Sequence, residues 1–175
     1  LKVSWKVVPA AASYQIYRST KKDGDYQHIK TIDSVGTSSW TDSSVKTGKT
    51  YYYKIKTVVK TQNGEQTNGF SNVKSAKAVP AKTTLKAKAS DAKNVKLTWS
   101  KVKGASGYEI YRSNSKDGKY SKVKTISKGS TTSYKNGKLK KSTTYYYKIR
   151  AYRKVNGKKV YGSYSSVVSV KTKAK

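Results

Sequence analysis

Apolar residues along this chain fall in short runs that alternate with polar ones, as in Leu1-Lys2-Val3-Ser4-Trp5, Tyr14-Gln15-Ile16 and Tyr51 through Ile55. A period of two marks a strand with one face in a core and the other in water, and no stretch sustains the 3.6-residue period of a helix. In the second half of the chain the pattern predicts seven strands, over residues 84–90, 95–99, 107–113, 120–126, 132–134, 144–154 and 161–172. That number of short strands, separated by turn residues, is what a β-sandwich requires.

The first half repeats the second. A shift of 94 positions lays Leu1 to Trp5 on Val95 to Trp99, Tyr14 to Ser19 on Tyr108 to Ser113, and Thr50 to Ile55 on Thr144 to Ile149. About a third of the aligned positions are identical, and a period this long means two self-contained domains rather than a solenoid. Pro80, within Ala78-Val79-Pro80-Ala81-Lys82, marks the break, giving modules at residues 1–79 and 80–175. Leu1 already matches the start of the second strand, so the first module lacks its opening strand and should be the less stable of the two. Together with the missing initiator Met, this leads us to expect further sequence ahead of Leu1. Turn chemistry recurs as well. Asn63-Gly64 and Asn156-Gly157 sit between the last two strands of each copy and read as hairpin turns. In Lys22-Asp23-Gly24 and Lys116-Asp117-Gly118 the Asp suits local backbone hydrogen bonds and the Gly a positive φ.

Composition changes this picture in three ways. Aromatics are 16 Tyr and 3 Trp against one Phe, so Tyr must supply much of the core while keeping a polar tip. With no Cys among the 175 residues, disulfides, thiolate nucleophiles and Cys-based metal sites are excluded. The net charge of +31, from 39 Lys and Arg against 8 Asp and Glu, is spread along the chain, which favours polyanions and discourages self-association without fixing a specific partner. Diffuse charge and the absence of a reading motif argue against nucleic acid, and no run is apolar and long enough for membrane insertion.

Two modules without disulfides, each with one Trp on its second strand and a Tyr opening its sixth, resemble the fibronectin type III family. Trp5 and Trp99 match the core Trp of that family, and Val45 to Tyr51 and Leu139 to Tyr145 match its apolar residue six positions before a corner Tyr. Thr47 and Lys141 stand where the family usually has Pro. The resemblance implies an all-β chain of two tandem seven-stranded immunoglobulin-like sandwiches, the first without its opening strand. It also implies structural tyrosine corners at Tyr51 and Tyr145, with Tyr53, Ile55, Tyr147 and Ile149 pointing inward. The wording Gly104-Ala-Ser-Gly-Tyr-Glu-Ile-Tyr-Arg-Ser113 is similar to lysine-rich modules repeated in secreted or surface proteins of Gram-positive gut bacteria. That likeness implies an extracellular or cell-surface setting.

Candidate chemistry is sparse. His28, the sole histidine, aligns with Lys122 and has no accompanying nucleophile and acid, so it reads as a surface residue, and no catalytic, metal or cofactor site is expected. Alternation does give each module an outward stripe: Tyr17, Tyr52, Lys54 and Lys56 in the first, Tyr111, Tyr146, Lys148, Arg150 and Tyr152 in the second. Such a stripe suits an acidic glycan, an anionic cell-wall polymer, single-stranded nucleic acid or a host surface protein. The plainer account, which we prefer, is cross-strand packing of Tyr rings against Lys stems. The expected function is a non-catalytic extracellular spacer or display module beside neighbouring domains of its parent chain, with weak binding to anionic polymers. The alternative is a ligand-specific adhesin that uses the stripe.

Overall fold

The structure is a computed structural model, which describes residues 1–34 and 36–175. The chain divides into two compact units, Leu1–Ala78 and Val79–Lys175, one residue earlier than the sequence break suggested. All regular structure among the described residues is strand. The first unit holds β1 (Lys2–Ser4), β2 (Ser13–Ser19), β3 (Gln27–Ile32), β4 (Ser39–Thr41), β5 (Thr50–Thr61), β6 (Gly64–Thr67) and β7 (Lys74–Lys77). The second holds β8 (Leu85–Ala89), β9 (Val95–Trp99), β10 (Gly107–Ser113), β11 (Ser121–Ile126), β12 (Ser133–Asn136), β13 (Thr144–Val155), β14 (Lys158–Tyr161) and β15 (Val168–Lys171).

In the second unit one sheet runs β12-β9-β8 and the other β11-β10-β13-β14, with β15 also paired to β13. The two antiparallel sheets form the sandwich that the strand pattern predicted. Val95, Leu97 and Trp99 on β9 face Tyr145, Tyr147 and Ile149 on β13 through the core, because alternation turns every second residue of each strand to the same side. Both tyrosine corners are formed: the Tyr51 hydroxyl accepts from the Lys46 amide at 2.9 Å and the Tyr145 hydroxyl from the Lys140 amide at 3.0 Å. The two core Trp rings pack on the first Tyr of the following strand, Trp5 on Tyr14 and Trp99 on Tyr108.

The last strand departs from expectation. Residues 161–172 are not continuous: β14 and β15 are separate pieces, and between Tyr152↔Tyr161 and Tyr147↔Val168 the return strand carries two extra residues. Ser165 bridges the interruption, its amide donating to Ile149 O at 2.7 Å and its hydroxyl accepting from Ile149 N at 3.1 Å. Ser71 does the same for Ile55 in the first unit, at 2.8 and 3.0 Å. A side chain thus takes over a ladder bond where the bulge displaces a carbonyl.

The turns need two corrections. Positive φ falls at Gly48, Gly64, Gly104 and Gly157 but not at Gly24 or Gly118. Those two are glycine for space: a Cβ would come within 3.0 Å of the Lys21 or Ser115 side chain. The fastening bond there comes from Ser19 and Ser113, whose hydroxyls accept from the Lys21 and Ser115 amides at 3.2 Å, and not from Asp23 or Asp117. Asn156-Gly157 forms a two-residue hairpin with both φ values positive. In the first unit Gly64 instead opens β6, opposite Thr61, so the turn falls on Gln62 and Asn63.

Among the described residues, the first unit has no counterpart of β8. Its smaller sheet is only β1 paired with β4. Leu1, Val3, Trp5 and Ile55 are therefore only partly buried, whereas Val95, Leu97, Trp99 and Ile149 are buried. A cavity of about 380 Å³ opens beside Val3, Trp5 and Ile55.

Candidate ligand face

The outward face of the larger sheet carries the residues that sequence alternation selected. Register explains why they meet: Tyr17 stands opposite Lys54 and Ser19 opposite Tyr52, and in the second unit Tyr111 stands opposite Lys148 and Glu109 opposite Arg150. Side chains directly opposite one another on an antiparallel pair share a face at contact distance.

In the first unit Lys54 is the centre. Its ammonium lies 4.3 Å from the Tyr26 ring centroid and 3.8 Å from that of Phe70, while Lys56 reaches Phe70 at 4.4 Å. Tyr17 meets Phe70 edge-on at 5.0 Å, packs beside His28 at 5.2 Å and donates to the Gln15 side-chain carbonyl at 3.0 Å. His28 is exposed and its Nε2 lies 3.1 Å from the Thr31 hydroxyl. Tyr52 shares the face at its half-buried end.

The second unit repeats the lysine sandwich, with Lys148 4.2 Å from Tyr120 and 4.6 Å from Tyr164. Tyr146 holds the place of Tyr52, half-buried. Beyond that point the two units differ. Glu109, at 0% exposure, accepts at Oε2 from Arg150 Nη2 and from the Tyr111 hydroxyl, both at 2.8 Å. At Oε1 it accepts from Lys159 at 3.0 Å, Tyr161 at 3.2 Å and Lys122 at 3.5 Å. Burial by itself would raise the Glu109 pKa, but bonds from Arg150, Lys159 and Tyr111 outweigh it and bring it down to about 2. Burial pushes the Tyr111 hydroxyl up, and its bond to Glu109 adds to that. The Arg150 guanidinium carbon also lies over the Tyr161 ring, 3.7 Å from its centroid.

Tyr152 is a correction. It lies on the outward side as alternation requires, but it is only 1% exposed and cannot take part in a ligand face. Its cross-strand partner is Gly107, where an added Cβ would meet the Tyr152 hydroxyl at 2.6 Å. The ring therefore lies across the gap left by the glycine, its hydroxyl donates to Ile126 O at 3.3 Å, and Lys159 covers it at 4.5 Å. Arg150 and Tyr111 are likewise committed to Glu109 and are not free on the surface.

Sequence reasoning missed Tyr26, Phe70, Tyr120, Tyr161 and Tyr164, which complete the stripes, and Glu109, which organises the second one. Tyr26 aligns with Tyr120 and Phe70 with Tyr164 at the repeat spacing, so aromatic identity at equal positions was the available signal. Among the described residues, no group of three or more His, Asp or Glu side chains converges as metal ligands would.

A second buried acid serves the core. Asp42, 1% exposed, pairs with Arg18 at 2.6 Å and accepts from Tyr53 at 2.8 Å and the Ser44 hydroxyl at 2.7 Å. Burial alone would raise its pKa, but the bonds from Ser44, Arg18 and Tyr53 lower it. Asn136 occupies that place in the second unit, accepting from Tyr147 at 2.8 Å and Arg112 at 3.2 Å.

No family model matches the chain. Over 56 residues it is 43% identical to an amylopullulanase of Thermoanaerobacter thermohydrosulfuricus, a stretch that is 32% of this chain but only 4% of that enzyme. Among solved structures, the FN1–FN3 domains of chicken CNTN1 match with a TM-score of 0.48 at 18% identity, over 98% of this chain and 62% of that one. FN3tt matches with a TM-score of 0.45 at 22% identity, over 56% of this chain and 99% of that one. The strand pairing itself makes the fold all-β, two fibronectin type III-like sandwiches in tandem along the chain.

Proposed function

We propose that this chain is a non-catalytic spacer and display segment of a larger secreted or cell-surface bacterial protein, with weak, salt-sensitive attraction to anionic polymers. The single observation that carries this reading is the self-satisfied outward face. Lys54 and Lys148 are each held between two aromatic rings, and Arg150 and Lys159 are consumed by Glu109. A surface built to grip a ligand leaves donors or rings unpaired, whereas this one spends them on its own strands. The short match to a large amylopullulanase supports an accessory role beside other domains and an extracellular setting. Sparse carboxylates and a lone histidine without a partnered nucleophile support the absence of catalysis.

A second reading, a specific adhesin for an acidic glycan or a host protein, is favoured by one feature. Phe70 is 41% exposed and carries two ammonium groups within 4.4 Å, an open aromatic and cationic corner. Titration with dextran sulfate at rising salt tests both. The spacer reading expects a steep linear fall of log affinity with log salt, and changes no larger for Lys54→Gln with Phe70→Ala than for removal of any one exposed lysine. A loss of binding confined to that double variant, with the sandwich still folded, establishes the adhesin instead.

A further inference from the structure

We propose that the outward face of the β12-β9-β8 sheet in the second unit is a docking surface for a linear polyuronate, a polysaccharide with a carboxylate on each residue. The inference rests on the polymer attraction proposed above and gives it a place and a ligand class. Three lysines stand abreast on this face, one from each strand: Lys88 is opposite Lys96, and Lys96 is opposite Lys135. Residues so paired share a face, with Cβ atoms about 5 Å apart. All three are exposed, as is Lys86 one row along. Like charges directly opposite one another weaken a sheet, so this row is held against its own repulsion. Among the described residues no carboxylate pairs with any of the four, the ion pairs gathering on Asp42 and Glu109 instead. Asp91, near enough to Lys135 to feel its charge, spends its carboxylate on the Lys93 amide at 2.8 Å and the Asn94 side-chain amide at 2.8 and 2.9 Å. Where the stripe on the larger sheet satisfies itself, this face leaves its cations open.

The pattern of the face selects the ligand. The next row, about 7 Å along the strands, sets Lys86 opposite Thr98 and Thr98 opposite Ser133, so hydroxyls lie beside the charges. A hollow of about 300 Å³ adjoins both rows, lined by Ser90, Lys96, Ser133, Tyr134 and Lys135. A chain that crosses the strands meets an ammonium at each one, a pitch near the length of a sugar residue, with hydroxyl partners to one side. A polysaccharide carrying a carboxylate and free hydroxyls on every residue matches both features. Single-stranded nucleic acid does not, because its bases need exposed aromatic platforms and the aromatic here, Tyr134, is half-buried against the core. The first unit gives the contrast. Lys2 stands opposite Thr41 where the second unit has Lys96 opposite Lys135, so no lysine pair forms there.

The test titrates the full 175-residue chain with a galacturonic acid hexamer at several salt concentrations, followed by amide chemical shifts. The expected result is saturable binding that shifts amides of β8, β9 and β12 and spares β1 and β4. Lys96→Gln with Lys135→Gln should weaken it about tenfold and reduce the slope of log affinity against log salt by about 1–1.5, the share of two neutralised charges. Lys116→Gln with Lys119→Gln removes the same charge from the turn between β10 and β11 and should change affinity less than about twofold, since diffuse charge acts only at long range. Both pairs are exposed, and Trp99 fluorescence checks that the sandwich is intact. A methyl-esterified hexamer should not bind. Equal losses in the two double variants, with dextran sulfate still bound by the parent chain, overturn this site and leave the general attraction standing. Failure of both dextran sulfate and the hexamer to bind at low salt sinks the attraction and the site together. A glycerol phosphate oligomer of equal charge that binds more tightly through Lys96 and Lys135 overturns the polyuronate assignment.

Discussion

The two units are copies that place their buried acid at different points. The first has Asp42 inside the core and Gln15 on the outward face; the second has Asn136 in the core and Glu109 on the face. In each case the amide preserves the hydrogen-bond geometry to the same neighbours, Tyr and Arg in the core and Tyr on the face, while the charge sits elsewhere. A buried carboxylate is tolerated only where cations and hydroxyls meet it, and the partners follow the acid: Arg150, Lys122 and Lys159 gather on Glu109, whereas Lys56 and His28 occupy two of those places beside the neutral Gln15. The exchange shows that this scaffold needs one hydrogen-bond acceptor at each point and not a charge at both.

A second difference is packing. Because β8 covers the core of the second unit, while the described residues of the first include no matching strand, the same core substitution should not have the same effect in both. Ile149→Ala, at a fully buried site, is expected to destabilise the second unit by about 2–5 kcal/mol. Ile55→Ala, beside the open cleft, should cost clearly less, because part of that side chain is already in water. Urea unfolding followed by Trp5 and Trp40 for one unit and Trp99 for the other separates the two midpoints, and equal losses would break the comparison.

Acid should also divide them. The Glu109 pKa lies near 2, below its ordinary 4.5, so its contribution is fully present above pH 4.5 and is lost as pH falls towards 2. That contribution is on the order of 3 kcal/mol. Glu109→Gln should flatten the second unit's stability across that acid window while leaving its neighbour's unchanged. Asp42 is depressed as well, so the first unit should lose stability in acid by its own route, and Asp42→Asn should remove that loss. Stability curves at neutral and acid pH for both variants check the assignment. A flattened first unit in Glu109→Gln would contradict it.

The smallest effects lie in two turns that exchange glycine. Ala10 (φ 61°) holds the left-handed conformation that Gly104 holds in the copy, and Ser142 (φ 53°) holds the one Gly48 holds. Ala10→Gly and Ser142→Gly should each stabilise their own unit by about 0.5–1 kcal/mol, since a Cβ is strained there. Thermal unfolding of the single variants measures it, and a destabilisation in either would show that a contact of the side chain outweighs the backbone relief.

Much of this was legible in the sequence. The alternation at Val95, Leu97 and Trp99 follows from local period, and the Tyr51 and Tyr145 corners were implied by the family resemblance, which is why the fold and repeat could be read without a structure. So could the alignment of Leu1 with Val95, which the repeat spacing gives directly. The ligand stripe was legible only in part. Parity gave Lys54, Lys56, Lys148 and Arg150 their side of the sheet, but parity says nothing of what lies above a side chain.

Chain position could not reveal that Glu109 would meet Arg150, Lys159 and Tyr161, because those residues are 41 to 52 positions away and come together only through strand pairing. Nor could it show that Tyr152 would lie over Gly107, which needs two strands in register and one missing Cβ. The sequence by itself determined which residues face in or out, because side-chain direction in a strand is a local property. Tertiary structure alone decided which outward residues are free, because that depends on neighbours that pairing brings from distant parts of the chain.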